Sequence, residues 1–154
     1  MELRRLRAED RSRWDPLWQG YLGFYEESLD AATTDRTWDR LTGDDAALVG
    51  LGAFVGDELV GICHLVFHAS TWSTDAYCYL EDLFVRPDAR GDGVGRALID
   101  AAVAEARAAG ASRLYWQTKS TNATARRLYD RVADDTGFIV YAIESEAISP
   151  DAAG

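Results

Sequence analysis

Apolar residues change their spacing several times along this chain, and the changes divide it into helices and strands. Leu3 to Leu6 reads as a short first strand. After Asp10, a residue type that caps helices, come Trp14, Leu17, Trp18, Tyr21, Leu22 and Tyr25, whose spacing predicts one apolar helical face. A second, short helix is predicted over Asp35 to Leu41. Two β-like runs, Ala47 to Val55 and Leu59 to Phe67, flank Gly56-Asp57-Glu58, a hairpin signal. A loop at Ser70 to Asp75 then leads into an apolar strand interrupted by acids, Tyr79-Leu-Glu-Asp-Leu-Phe-Val85.

The second half has a different rhythm. A helix is predicted from Gly93 to Ala109, with Val94, Ala97, Leu98, Ala101 and Ala108 on one face and Arg96, Asp100 and Arg107 opposite. Glu105 fits that stripe poorly, and Gly110 supplies a C-terminal stop. Strand Arg113 to Gln117 follows, so the strand–helix–strand unit is expected to be a right-handed parallel crossover. Asn122 caps a helix predicted to reach Ala133, and Gly137 opens a last strand, Phe138 to Glu144. The order predicts a mixed α/β sheet, antiparallel first, with one late parallel β-α-β crossover. No repeat or linker interrupts it, so residues 1–148 are expected to form one domain, with a loose tail at 149–154.

The junction between the acidic strand and the long helix carries the first chemical signal. Arg90-Gly-Asp-Gly93-Val-Gly95 is a glycine-rich turn entering a helix, where backbone N–H groups and the helix dipole favour a phosphate. No Lys-Ser or Lys-Thr follows, which excludes a P-loop, and the glycine spacing is not the dinucleotide fingerprint. Arg90-Gly91-Asp92 also spells an adhesion tripeptide, an improbable reading ahead of a strongly helical run.

Composition narrows the class further. A hydrophobic content of 47% suits a globular core, and no apolar run approaches a membrane span. The N-terminus lacks the apolar core of a signal peptide, which leads to an expectation of a cytoplasmic protein and discounts the sequon at Asn122. Cys63 and Cys78 lack metal-ligand spacing and read as reduced core residues. The net charge of −10 disfavours nucleic acid and favours cationic partners.

Three separated motifs together resemble the GNAT superfamily of acetyl-CoA-dependent N-acetyltransferases: Leu80-Glu-Asp-Leu-Phe-Val-Arg-Pro87, Arg90-Gly-Asp-Gly-Val-Gly95, and Asn122-Ala-Thr-Ala-Arg-Arg-Leu-Tyr129 with Gly137-Phe138. The strand is similar to that of diamine and polyamine acetyltransferases, and the stretch from Trp116 to Asp130 to the fungal histone/polyamine group. The resemblance implies the GNAT fold with a splayed strand pair, into which pantetheine of acetyl-CoA, a co-substrate, inserts. It implies backbone contacts from Leu83, Phe84 and Val85, a pyrophosphate site at Arg90, Gly91, Asp92, Gly93, Val94, Gly95 and Arg96, and a pantetheine bond from Asn122. The acceptor would be a small amine or a protein lysine, taken by direct attack in a ternary complex, without metal, nucleic acid or membrane. Aminoglycosides or amino acids are alternative acceptors, and a non-catalytic coenzyme A sensor is an alternative role. Many relatives end in two strands, whereas this chain has room for one, so either the sheet is shorter or a partner in a homodimer completes it.

Each chemical candidate has a plainer reading beside it. An alkylammonium ion near pKa ~10.4 arrives protonated, so transfer needs a base and an acid. Glu81, set among apolar strand neighbours, is the candidate base, or else a partnered structural acid. Alternation puts Asp82 on the opposite face, where it would bind a second amine, a buried partner or a helix cap. Tyr129 takes the position that in the family gives a proton to the departing thiolate; the plain reading is packing within Ala125, Leu128, Tyr129 and Val132. The oxyanion would take an N–H of Leu83 or Phe84 beside a strand irregularity. His64 and His68, four apart, read as structural, with His68 in reserve as a base. Tyr21, Phe24, Tyr25, Glu26 and Glu27 form either a cation pocket or a plain amphipathic helix.

Overall fold

The computed structural model describes residues 1–144. These fall into two compact units, Met1–Gln117 and the chain from Thr118 on.

The first unit is built on a five-stranded sheet of β1 (Glu2–Arg5), β2 (Leu48–Val55), β3 (Glu58–His68), β4 (Tyr77–Val85) and β5 (Arg113–Tyr115), in that order across the sheet. The first four strands are antiparallel neighbours, and β5 runs parallel to β4. Helices α1 (Arg11–Phe24) and α2 (Ala31–Thr42) precede β2, and α3 (Val94–Ala108) makes the crossover from β4 to β5. On one face, Trp14, Leu17, Trp18 and Leu22 of α1 join Trp38 and Leu41 of α2 over Phe54, Leu59 and Ile62. Each fully buried side chain of this size contributes about 1.5–3 kcal/mol, so the tryptophan-rich stripe read from the sequence is the main anchor of α1. On the other face α3 packs close: a side chain at Gly61 of β3 would meet Leu98 and Val94 at 3.0 Å.

Several boundaries and roles differ from the sequence reading. Asp10 stands at the start of α1, but its carboxylate makes no cap bond within the helix. It accepts instead from the Arg4 guanidinium at 2.7 and 2.9 Å, from Arg13, and from the Arg7 amide. The Arg4 hydrogen bond, above all, holds that buried carboxyl below the usual range. Helix α2 starts earlier than Asp35, because Asp30 caps it by accepting from the Thr33 amide at 2.7 Å. The buried stripe of α3 is Val94, Leu98, Ile99, Ala102 and Ala106, while Ala108 is exposed; a run of alanines gives periodicity too little contrast to fix the rotation. Glu105, the misfit, binds Arg5 of β1 through both carboxylate oxygens, the shortest bond being 2.6 Å. Gly110 does end the helix: at φ +71 its amide bonds to Arg107 while Ala111 bonds to Ala106, the paired Schellman bonds.

In the second unit, α4 (Ala123–Tyr129) is capped by the Asn122 side chain, which accepts from the Ala125 amide at 3.3 Å. It ends at Tyr129 rather than Ala133; hydrogen-bonded turns carry the chain through Ala133. The expected strand from Phe138 to Glu144 is not formed. Phe138, Ile139, Val140, Tyr141 and Ile143 are 68–88% exposed. Apolar β-formers do not make a strand unless an edge pairs with them, and none does among the described residues. The tail at 149–154 lies outside those residues.

Candidate active site

The site begins with an extra residue in β4. Leu65 of β3 pairs with Leu80, but the next residue back, His64, pairs with Asp82, so Glu81 is bulged out of the ladder. Cross-strand partners share a face, and consecutive residues alternate. Leu80 therefore lies with Leu65, Asp82 with His64, and Glu81, opposite Leu80, also falls on the His64 side. The alternation that would part the two carboxylates is broken by the bulge. Both face α1.

The two acids have different surroundings. Asp82 is mostly buried and accepts from His64 Nδ1 at 2.9 Å. It also accepts from the Tyr21 hydroxyl of α1. His64, 3% exposed, receives the Trp14 indole N–H on Nε2 at 3.0 Å. An indole N–H only donates, so Nε2 must be the ring's acceptor and Nδ1 carries the hydrogen given to Asp82. Glu81, expected to be buried, is exposed, and among the described residues no hydrogen bond reaches its carboxylate. Protein packed beside it still displaces part of its hydration, and Asp82 adds like-charge repulsion. Together these raise its pKa above the usual glutamate value, against smaller opposing effects of His64 and Arg40.

Three phenols surround the pair. Tyr21 and Tyr25 of α1 lie 5.0 Å apart by ring centroids, and Tyr79 lies on the same face of β4 as Glu81. Burial, then the Asp82 charge, raises the pKa of Tyr21 and Tyr25. Tyr79 is pushed up to about 12 by burial and by the charges of Glu81 and Asp82. All three are held as neutral phenols within reach of the carboxylate charges, and neutral aromatic rings together with carboxylates can attract an ammonium group. Glu26 sits just past α1 in a left-handed conformation, φ +57, and is exposed.

A second feature is the open edge of β4. Its parallel pairing with β5 covers only Tyr77 to Tyr79. From Leu80 to Val85 the strand is paired, among the described residues, on its β3 side alone, which leaves the other edge of Leu83, Phe84 and Val85 open. Beyond the strand end, Gly91 (φ +96) and Gly93 (φ +81) take conformations that side chains resist, and Gly93 caps α3. The first intrahelical bond is that of Ala97 to Gly93, which leaves the amides of Val94, Gly95 and Arg96 without helical partners at the positive end of the dipole. Arg90 folds back, bonding the Val85 carbonyl at 3.0 Å. Arg96 pairs with Asp100 at 3.0 Å.

A cavity of about 450 Å³ between α1 and the end of β4 is lined by Leu17, Gly20, Phe24, Phe84, Pro87 and Arg90. It is apolar and includes neither Glu81 nor Asp82. His68 is committed elsewhere: its ring nitrogens lie 2.8 Å from the Ala69 carbonyl and 2.7 Å from the Tyr115 hydroxyl. Cys63 and Cys78 are free and buried, and burial pushes the Cys78 thiol up to about 11. Within the second unit Tyr129 is half-buried beside Ala125, Leu128 and Val132. The described residues hold no cluster that could bind a metal ion, and no helix among them is long and apolar enough to cross a membrane.

A sheet that opens at the middle of β4, a glycine loop at the following helix and a carboxylate at the opening define a fold for group transfer from a phosphate-bearing carrier. Residues 11–133 match the Acetyltransferase (GNAT) family. The chain is 32% identical over 139 residues to the D-amino-acid N-acetyltransferase of Saccharomyces cerevisiae, covering 88% of this chain and 86% of that protein. It is also 32% identical to the thialysine N-epsilon-acetyltransferase of Caenorhabditis elegans, over 69% of each. The ribosomal-protein-alanine N-acetyltransferase of Brucella melitensis biovar Abortus 2308 shares the fold, with a TM-score of 0.77 at 24% identity over 93% of this chain and 97% of that one. The chain belongs to the GNAT family and is an N-acetyltransferase using acetyl-CoA.

Proposed function

We propose that this enzyme acetylates a primary amine carried by a polycationic small molecule or a lysine-like side chain. The observation that carries this reading is the pair Glu81 and Asp82 on one face of the β4 bulge, ringed by Tyr21, Tyr25 and Tyr79. Two carboxylates among neutral phenols favour a ligand with more than one positive charge. The relative that acts on thialysine, a lysine analogue by its name, agrees with that charge preference. The relative named for D-amino acids keeps amino acids in the comparison.

In this reading Glu81 takes a proton from the bound ammonium group, directly or through a water, and frees the nitrogen lone pair. The nitrogen bonds to the acetyl carbonyl carbon as the carbon–sulfur bond breaks. The Leu83 or Phe84 amide steadies the carbonyl oxygen, Tyr129 gives its phenolic proton to the departing sulfur, and the acetylated nitrogen loses its remaining extra proton through water, which restores the Tyr129 phenol. Leu83, Phe84 and Val85 would hold pantetheine along the open β4 edge, Asn122 would bond to it, and the loop from Arg90 to Arg96 would hold the pyrophosphate. No cysteine is placed for an acyl-enzyme, which favours direct attack.

The test is thiol release from acetyl-CoA with polyamines, lysine peptides, free amino acids and aminoglycosides as acceptors. Release with polyamines or lysine side chains supports the proposal; release with neutral amino acids alone replaces the acceptor. Coenzyme binding with silence across the panel supports a sensor. Tyr129→Phe is expected to lower kcat about 10²-fold with coenzyme affinity retained, and near-normal turnover would remove the acid role. The exposed run from Phe138 to Ile143 further supports a homodimer in which a second copy covers it, a state read by light scattering with and without that run. We place the reaction in the cytoplasm.

A further inference from the structure

The polar chain behind Glu81 ends in a residue that cannot pass a proton on. A hydrogen bond from His64 to a carboxylate invites a reading of His64 as a base or shuttle. The geometry opposes it: Nδ1 is given to Asp82, and the only acceptor nitrogen, Nε2, is occupied by the Trp14 indole. The ring is also enclosed by Trp14 and Trp18, whose centroids lie 5.9 and 5.3 Å away. A proton leaving Nδ1 has no route through Nε2. What the arrangement does well is fix one carboxylate.

We propose that Trp14, His64 and Tyr21 form a clamp that immobilises Asp82, so that the bulge presents one clamped carboxylate and one open carboxylate, Glu81, to the same ligand. His64 is thus a positioning residue acting through Asp82. The division of labour follows from which lone pairs are occupied. Asp82 has donors from β3 and α1; Glu81 has none among the described residues. The oxygens of Glu81 are open to a proton or an ammonium group, whereas those of Asp82 are already held by donors. The groups bearing on the pair are Tyr21 and Tyr25 from α1, Arg40 from α2, His64 from β3 and Tyr79 from β4. The raised Glu81 pKa agrees with a fixed neighbouring charge.

This deepens the reading of Glu81 as the base, but its test needs neither acetyl-CoA nor an acceptor. Carboxyl carbon and imidazole nitrogen resonances of the labelled protein are followed with pH in the wild type, Asp82→Asn and Tyr21→Phe. Asp82→Asn keeps an oxygen acceptor for His64, and Tyr21→Phe keeps the ring, so both preserve packing. In the wild type the hydrogen is expected on His64 Nδ1, and Glu81 to titrate above an ordinary glutamate. Asp82→Asn should bring the Glu81 midpoint down toward that range, with the tautomer unchanged. Tyr21→Phe loosens the clamp, so the Glu81 midpoint should move while the His64 hydrogen stays on Nδ1. A hydrogen on Nε2, or a Glu81 midpoint indifferent to Asp82→Asn, overturns the proposal. Either failure leaves the acetyl-transfer reading to be decided by thiol release.

Discussion

The two faces of β4 use the same backbone for opposite ends. Toward α3 it presents Cys78 and Leu80, buried, against Cys63 and Leu65 of β3, which are also buried. Toward α1 it presents Tyr79, Glu81, Asp82 and Phe84, with Glu81 exposed and Asp82 bound to His64 and Tyr21. One extra residue separates these outcomes. With regular alternation one of the two acids would be driven into the apolar α3 face, where an unpaired charge is untenable. The bulge lets adjacent acids share a face and leaves the packing on the other face continuous. If that division is real, the two faces fail differently when cut.

The largest effect is expected on the packed face. Leu98 of α3 is fully buried over Gly61, and Leu98→Ala should cost about 3 kcal/mol of stability, read from urea unfolding. Transfer per folded molecule should stay near normal. A collapse of activity in molecules shown to be folded would mean that the faces are not separable. On the other face, Glu81→Gln should lower turnover at neutral pH by about 10²-fold, with activity returning at high pH as free amine becomes available. Its stability should move the other way. Glu81 has a pKa raised by folding, so above that pKa the ionised carboxylate is less comfortable folded than unfolded. The neutral amide removes this penalty at pH 7, and the variant should be at least as stable there. Loss of stability instead would make Glu81 a structural acid.

Much of this plan was legible in the chain. The tryptophan stripe of α1, the hairpin at Gly56, the crossover through α3 and the stop at Gly110 follow from local spacing and turn chemistry, and each stands as read. What could not be read depends on register. Nothing in Tyr79-Leu-Glu-Asp-Leu marks which residue is bulged, because a bulge is set by the partner strand. Plain alternation therefore puts Asp82 on the wrong face, and the Trp14–His64–Asp82–Tyr21 chain cannot be seen from spacing alone. The missed helix-stripe rotation in α3 and the unformed strand at Phe138 have a related cause: both depend on neighbours that periodicity does not encode.

The glycine loop sharpens the comparison at a smaller scale, since it joins the end of β4 to the helix of the packed face. At φ +81, Gly93 holds a conformation that costs an L-residue about 1–2 kcal/mol, while open space surrounds the position of a Cβ. Gly93→Ala should lose that amount through the backbone alone, without a steric clash. If the loop binds the coenzyme, affinity for acetyl-CoA should fall in step with stability, because the same conformation aims the amides at the phosphates. Affinity left intact in a destabilised variant would confine the loop to a structural cap. Calorimetric binding of coenzyme A beside thermal unfolding separates the two.

The smallest effect belongs to the end of α1. Glu26 closes α1 in the left-handed region, with its amide bonded to Gly23 and that of Glu27 to Leu22, the same paired bonds that Gly110 makes after α3. Glycine serves at one helix end and glutamate at the other, although glycine suits both backbones better. Glu26→Gly should therefore gain a fraction of a kcal/mol, since relief at φ +57 exceeds the added freedom of the unfolded chain. A gain in melting temperature with unchanged kinetics would make Glu26 a cap with no other role. A gain joined to a higher KM for polycationic amines would show that its carboxylate extends the negative field of Glu81 and Asp82. In that case stability is lower at the end of α1 because the charge is used there, and the contrast between the two faces of β4 reaches into the helices that cover them.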